Sequence, residues 1–475
     1  MNLVTALEYE TNTVYTENGD VAYSSTLDAN LDFFGLAGAS RYDQNQVLDL
    51  FQAAFHEDPV LALKNLLYLR DIRTGLGERK SFRTCFRWLC KNHVDHAKKL
   101  VPYIPVYGRY DDLFATFHTP VEDVVFSLIS KQLDKDLENS SGNISLLSKW
   151  LPSINASNSM ARSNARYICQ KLDISYSDYR KMLSSLRKGR IIENNLRLRD
   201  YSSDYSQVSA GAMHRYQHAF CVNDLSRYTQ YISSVEKKEA SIHADTLYPY
   251  QIIKEYHKGM SGIEKKAMQL KWNQYPRSES ETNTIVVRDG SGSMLWPNRL
   301  PYLVATSMAI LFAEQLKGTF KNKFITFSSC PKLVSIDGDL YDILTQISKY
   351  DDCTNTNIEA VYNLILKALS KVEYTKENQI DRIVIISDME FDEGTTHIPT
   401  FELFEQKFKA LGYDLPEMVY WNVNARRPHF SAIPENSKIH FVSGASAHVI
   451  ENILSQKPAL DAKEFMLETL SKYLS

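Results

Sequence analysis

The sequence lacks three things that would narrow its class at once: paired cysteines, a long apolar run and a large net charge. Six cysteines (Cys85, Cys90, Cys169, Cys221, Cys330, Cys353) are scattered over 475 residues without a C-x-x-C. That excludes a disulfide frame or zinc-ribbon spacing and predicts reduced thiols in an intracellular, cytoplasmic protein. No apolar stretch approaches the roughly 18 residues that span a bilayer, so no membrane association is expected. The start, "MNLVTALEYE", has neither the basic region nor the apolar core of a signal peptide. A net charge of −3 excludes a uniformly basic polyanion binder. Familiar catalytic signatures are missing as well. H-E-x-x-H does not occur, and the Gly/Ser segment near residue 290 reads D-G-S-G-S rather than G-x-S-x-G. "GLGERKS", from Gly75, lacks both Walker spacing and the third glycine of G-x-G-x-x-G, so it reads as a turn between helices. His93 and His96 lie three apart with no further ligand near them in sequence.

What is present is unevenly charged. Residues 1–50 are about seven units negative, 51–100 and 151–200 each about five to six positive, and 281–475 about six negative. This patchwork points to local anion sites. Apolar residues make up 44%, enough for large cores, and the length implies more than one domain.

The grammar of the chain changes twice. Residues 1–30 are acidic and turn-rich and read as an arm or small β-element. Residues 31–280 carry amphipathic segments with apolar residues at three-to-four spacing, broken at Gly75 and Gly77, Pro102 and Pro105, "SSGN" and Pro152. Short helices repeated this way predict a HEAT-like stack of helix pairs. "WNQYPRSESETN" (272–283) reads as a polar linker. Beyond it, strands and helices alternate: strand 284–288, helix 301–316, strand 323–327, edge strand 333–336, helices 339–349 and 358–371, strand "RIVIISDM", helix 400–410, strands "EMVYWNV" and "KIHFVSG", and a final helical pair. The fold class is therefore α plus α/β, with a doubly wound parallel sheet in residues 281–475.

At the end of the first of those strands the text is "TNTIVVRDGSGSMLW". Asp289, Ser291 and Ser293 stand just past the strand's carboxyl end, with Gly290 and Gly292 letting the chain bend. "RIVIISDM" delivers Asp388, and "DDCTNTN" offers Thr356. Ligands of open α/β sheets bind beyond the carboxyl strand ends, so these oxygens are expected to meet. Two carboxylates and three hydroxyls form a hard oxygen set suited to Mg²⁺ or another divalent cation. Arg426, Arg427 and His429 follow "EMVYWNV" and should overhang the same edge, to read an anion or to salt-bridge the acidic surface.

This D-x-S-x-S pattern, with a Thr and an Asp from later loops, resembles the von Willebrand factor A (vWA) domain and its metal-ion-dependent adhesion site. The resemblance implies that Asp289, Ser291, Ser293, Thr356 and Asp388 hold the ion, directly or through water, and that an acidic partner group completes its shell.

In the helical part, Arg79, Arg83 and Arg87 lie four apart on one stripe, with Arg70 and Arg73 just before them. They either bind phosphate or form a solvated or internally bridged face with Asp71, Glu78, Asp111 and Asp112. A second basic block holds Arg180, Lys181, Arg187, Lys188 and Arg190, with the same two readings. A helical domain followed by a vWA-type domain resembles the TROVE architecture of the Ro autoantigen family, which implies an RNA-binding, ribonucleoprotein role. "LRDIRTGLGER", "IPVYGRYDDL", "KWLPS" and "YRKMLSSLRK" resemble, more closely, a family of plants, fungi, large viruses and phages known only as a domain of unknown function. The expected function is a non-enzymatic RNA-binding scaffold, a monomeric ring or crescent, with a magnesium-holding vWA-type domain. The alternative is an adaptor whose metal site captures an acidic protein partner, such as an AAA+ ATPase, without RNA.

Overall fold

The structure is a computed structural model that describes residues 3–139, 142–188, 191–244, 246–277, 282–350, 356–373, 375–394, 400–432, 438–455 and 460–474. It divides into two compact units. One joins Met1–Leu69 and Thr74–Leu76 to Ala244–Ser475, and the other comprises Arg70–Arg73 and Gly77–His243. The sheet-bearing unit thus takes in residues 31–69 and 246–277, which the sequence grouped with the helical part.

The first unit opens with helix Leu3–Thr11 and an antiparallel hairpin of β1 (Thr13–Tyr15) and β2 (Val21–Tyr23). Gly19, at φ +96, supplies the left-handed residue of its turn. Six further strands form one sheet: β3 (Thr284–Asp289), β4 (Lys323–Phe327), β5 (Leu333–Ser335), β6 (Arg382–Ser387), β7 (Glu417–Asn422) and β8 (Ile439–Ser443). Their order is β5-β4-β3-β6-β7-β8, parallel throughout except for the antiparallel edge pair β4–β5. β3, β6, β7 and β8 are buried along their whole length. Their continuous Val/Ile-rich runs are what a sheet with covered faces requires. Chain order reverses direction between β3 and β6, which marks a topological switch point.

Helix Leu300–Gln315 is apolar on all sides and packs on β3, β4 and β6. Helix Ala29–Leu36, capped by the Asp28 carboxylate accepting the Leu31 N–H, packs on β8 together with helix Ala462–Leu470. Phe34 stacks on Tyr68 at 5.3 Å and meets Phe465 edge-on at 6.1 Å. The expected polar linker begins inside this core. Trp272 is fully buried and donates to Glu314 at 3.0 Å, and the Tyr275 hydroxyl donates to the Leu247 carbonyl at 2.8 Å. The two aromatics override the polar average of that stretch. Its residues 278–281 lie outside the described part.

The second unit is helical. Sequence neighbours pack on each other: Arg79–Asn92 on Val94–Leu100, Ser159–Lys171 on Tyr176–Arg187, and Ala210–Asn223 on Leu225–Glu236. No helix among the described residues is long and apolar enough to cross a membrane.

Candidate metal centre

Asp289 ends β3 and Asp388 follows β6, two strands paired directly with Arg288 opposite Ile386. Both carboxylates are buried. Asp289 Oδ1 accepts the Ser291 N–H at 2.8 Å, and Oδ2 accepts the Ser387 hydroxyl at 2.5 Å. The Ser291 and Ser293 hydroxyls are 3.0 Å apart, and the Ser293 hydroxyl bonds Asp388. Four of the five expected ligands are therefore joined by one chain of contacts at the switch point. The bend after Asp289 needs no left-handed glycine. The Gly290 Cα instead passes the Arg288 guanidinium, from which an added Cβ would lie 3.4 Å away. The strained residue is Met389, at φ +65, whose N–H is satisfied by the Ser387 hydroxyl at 3.0 Å.

Thr356, the fifth, is also buried at this rim, but its contacts lie elsewhere. Its Oγ1 accepts the Asn18 side-chain N–H at 3.0 Å and donates to Asp392 at 3.4 Å. The preceding residues 351–355, including Cys353, lie outside the described part.

Burial, and next the Asp388 charge, push the Asp289 carboxyl up to about 7. Burial raises Asp388 as well, opposed by Arg426 and by the Ser293 bond. Arg426 Nη2 lies 3.4 Å from Asp388 Oδ2, and its Nη1 lies 2.6 Å from Glu17. Arg426 thus takes the salt-bridging role. His429 bonds the Met389 carbonyl at 3.1 Å, and Arg427 is exposed. Glu390 is fully buried and raised by burial. Its Oε2 accepts the Glu17 N–H at 2.6 Å, while Oε1 has no partner among the described residues. Those residues contain no cluster of three or more His, Cys, Asp or Glu able to hold a metal ion. The donors gathered here are two carboxylates and hydroxyls, the composition of a hard-oxygen site.

The basic residues of the helical unit separate into two groups. Arg70 is buried against Asp112, with Nε and Nη2 both 2.8 Å from Oδ2. Arg83 bridges Asp112 at 2.7 Å and Asp111 at 2.9 Å. Arg87 donates to the carbonyls of Ala115 and Phe117, and Arg73 to that of Val106. Arg187 clamps the Ser148 and Leu151 carbonyls and the Ser153 hydroxyl. These five bond within the unit, Arg73 from an exposed position, and for Arg83 and Arg70 the internally bridged alternative is the one observed. Arg79, Arg180, Lys181 and Lys188 are exposed. Lys181 has a loose 3.7 Å pair with Asp178. Arg190 lies outside the described residues.

Residues 16–101 and 109–288 match the family described as "Domain of unknown function (DUF2828)". This chain belongs to that family. Residues 283–472, which carry the rim, match a second family, "Domain of unknown function (DUF7788)". "Uncharacterized protein L728" of Acanthamoeba polyphaga mimivirus is 26% identical over 514 residues, covering 98% of this chain and 88% of that protein. The crystal structure of Deinococcus radiodurans RO (RSR) protein aligns at 12% identity over 94% of this chain and 99% of the other. Its TM-score of 0.36 is too low to establish a shared fold.

Sequence reasoning missed Ser387, Glu390, Glu17 and Asn18. Ser387 and Glu390 flank Asp388 in "SDME", and that proximity was the available signal. Nothing local in "TENGD" ties Glu17 and Asn18 to a rim more than 330 residues away.

Proposed function

We propose that this DUF2828 chain is a non-enzymatic, divalent-cation-dependent binding protein. Asp289, Ser291, Ser293 and Asp388, with Thr356 beside them, would hold Mg²⁺ or a similar ion. Bound there, such an ion would offer an open position to a carboxylate oxygen of a protein partner. One observation carries the reading: two buried carboxylates share the ends of adjacent parallel strands, with the Arg426 guanidinium 3.4 Å from Asp388. Two buried like charges are unfavourable unless one is protonated or a cation stands between them. The hydroxyls around them suit a hard ion and do nothing for a soft one. Calorimetric titration of the full chain with Mn²⁺ tests this. The wild type should bind one ion, and Asp289→Ala and Asp388→Ala should lose it. No binding by the wild type, or unchanged binding by both variants, defeats the reading.

A second reading, an RNA-binding scaffold, is favoured by the exposed cations Arg79, Arg180, Lys181 and Lys188 on the helical unit. Burial, then the neighbouring Arg109 and Arg83 charges, lower the Arg79 pKa, so an anion there would be stabilised. The sequence resemblance to the Ro family, with its helical repeats, points the same way. Oligo(U) binding should then fall steeply with salt and should weaken in Arg79→Glu with Arg180→Glu. Binding indifferent to both removes this reading.

A further inference from the structure

The turn between β1 and β2 lies on the rim that bears Asp388. The Thr16 hydroxyl donates to the Phe391 carbonyl at 2.6 Å. The Glu17 N–H donates to Glu390, and the Glu17 carboxylate pairs with Arg426, both at 2.6 Å. The Asn18 side-chain amide donates to Thr356 Oγ1 at 3.0 Å and to the Glu390 carbonyl at 2.7 Å, while the Asn18 main-chain carbonyl accepts the Glu393 N–H at 2.9 Å. Gly19 pairs with Asp392 in an antiparallel bridge. The turn therefore presents a carboxylate and an amide to groups that include two of the five expected ligands, Asp388 through Arg426 and Thr356 directly.

The way the hairpin is anchored separates a fixed part from a replaceable one. β2 is held by its buried Ala22 and Tyr23 and by reciprocal main-chain bonds between Tyr23 and Phe430, at 2.9 and 2.7 Å. The tip residues Glu17 and Asn18 are exposed, and their contacts are polar bonds that water or another polar segment would replace. β1 is only half covered. Beneath the tip, the buried Glu390 keeps one carboxylate oxygen without a partner among the described residues. The tip thus leaves the polar capacity of the rim incompletely filled.

We propose that the Glu17–Asn18 tip is a built-in, displaceable occupant of the cation rim, standing where an acidic segment of a partner docks. Its carboxylate stands one guanidinium from Asp388, and its amide holds the Thr356 hydroxyl. A partner of matching chemistry is a polar turn or extended segment that carries a carboxylate followed by an amide. Docking replaces the tip's amide and main-chain bonds, carries the partner's carboxylate to the ion instead of to Arg426, and frees Arg426 from Glu17. This inference rests on the cation reading above.

The experiment uses the full chain, Mn²⁺ and a labelled peptide copying residues 13–23. Mn²⁺ binding is measured first in the wild type and in Glu17→Ala with Asn18→Ala. A tethered occupant acts at an effective concentration of about millimolar, so its removal should raise peptide affinity about tenfold or more in Mn²⁺. Chelator, or Asp289→Ala added to the double variant, should abolish that gain. Glu17→Gln alone, which leaves the Asn18 amide bonds to Thr356 and to the Glu390 carbonyl in place, should give a smaller gain in the same direction. Equal peptide affinity in wild type and double variant, when both bind Mn²⁺, overturns the inference and leaves the cation reading standing. Absence of Mn²⁺ binding from both overturns the two together.

Discussion

The Ser387 hydroxyl donates a 2.5 Å hydrogen bond to Asp289 Oδ2, tying the carboxylate that ends β3 to the last residue of β6. This bond opposes the upward push of burial on Asp289. Ser387→Ala leaves a buried carboxylate one donor short, at a cost of about 1–3 kcal/mol. Urea unfolding of the variant in chelator should show that loss. Added Mg²⁺ should recover most of it, since an ion would stabilise the carboxylate in place of the missing donor.

Arg426→Gln acts on the other carboxylate. Asp388 then loses the guanidinium that opposes its burial. The pair is 3.4 Å long and Arg426 is one-quarter exposed, so the loss is nearer a surface pair than a buried one, about 1–2 kcal/mol. It should appear at pH 8 in chelator and shrink toward pH 5, where a raised Asp388 is more often protonated. A variant equally destabilised at both pH values would show that Arg426 acts through its Glu17 pair or its packing and not through Asp388.

The starts of β6, β7 and β8 carry a different charged cluster. Arg382 Nε lies 2.7 Å from Glu417, and His440 Nε2 lies 2.6 Å from its other oxygen. Burial pushes Glu417 up, but His440 and Arg382 together hold it below the ordinary 4.5. A carboxylate depressed on folding adds stability that is fully present above its unfolded pKa and is lost as pH falls through the folded one. Unfolding free energy should therefore drop below about pH 4.5. In Glu417→Gln that acid-side slope should flatten, with a lower plateau at neutral pH.

Much of the sheet was legible because its strands are buried on both faces and so are written as continuous apolar runs. "TIVVRD" and "RIVIIS" needed no partner information to be read. Asp289 and Asp388 could be paired in advance because parallel strands deliver their carboxyl ends to one edge. The Arg stripe was ambiguous for a physical reason. Four-residue spacing gives the direction of a side chain along a helix but not what waits there. The 3₁₀ segment Tyr110–Thr116 brought Asp111 and Asp112 to Arg83, and no local pattern encodes that approach. The hairpin on the rim was illegible for the same reason, since its contacts join residues more than 330 apart.

That approach also yields a sharp contrast between two residues of the helical unit. Asp112 is fully buried and accepts from Arg70 Nε at 2.8 Å, Arg83 Nε at 2.7 Å and the Arg109 N–H at 2.9 Å. Asp112→Asn keeps the shape but removes the charge, leaving Arg70 buried without its counterion. Breaking such a pair costs about 3–5 kcal/mol. Gly108→Ala should weaken the same hub, because an added Cβ would lie 2.7 Å from Asp112 Oδ2 and 3.1 Å from both Arg70 Nε and the Ile104 carbonyl oxygen. Arg79, one turn from Arg83 and exposed, holds no such position, and Arg79→Ala should stay within about 0.5 kcal/mol. Thermal unfolding of the three variants side by side decides the matter. If Arg79→Ala is as damaging as Asp112→Asn, Arg79 is a structural arginine and the case for an anion at that face falls. If it is silent in stability yet weakens oligo(U) binding, the exposed cations act on a ligand and not on the fold.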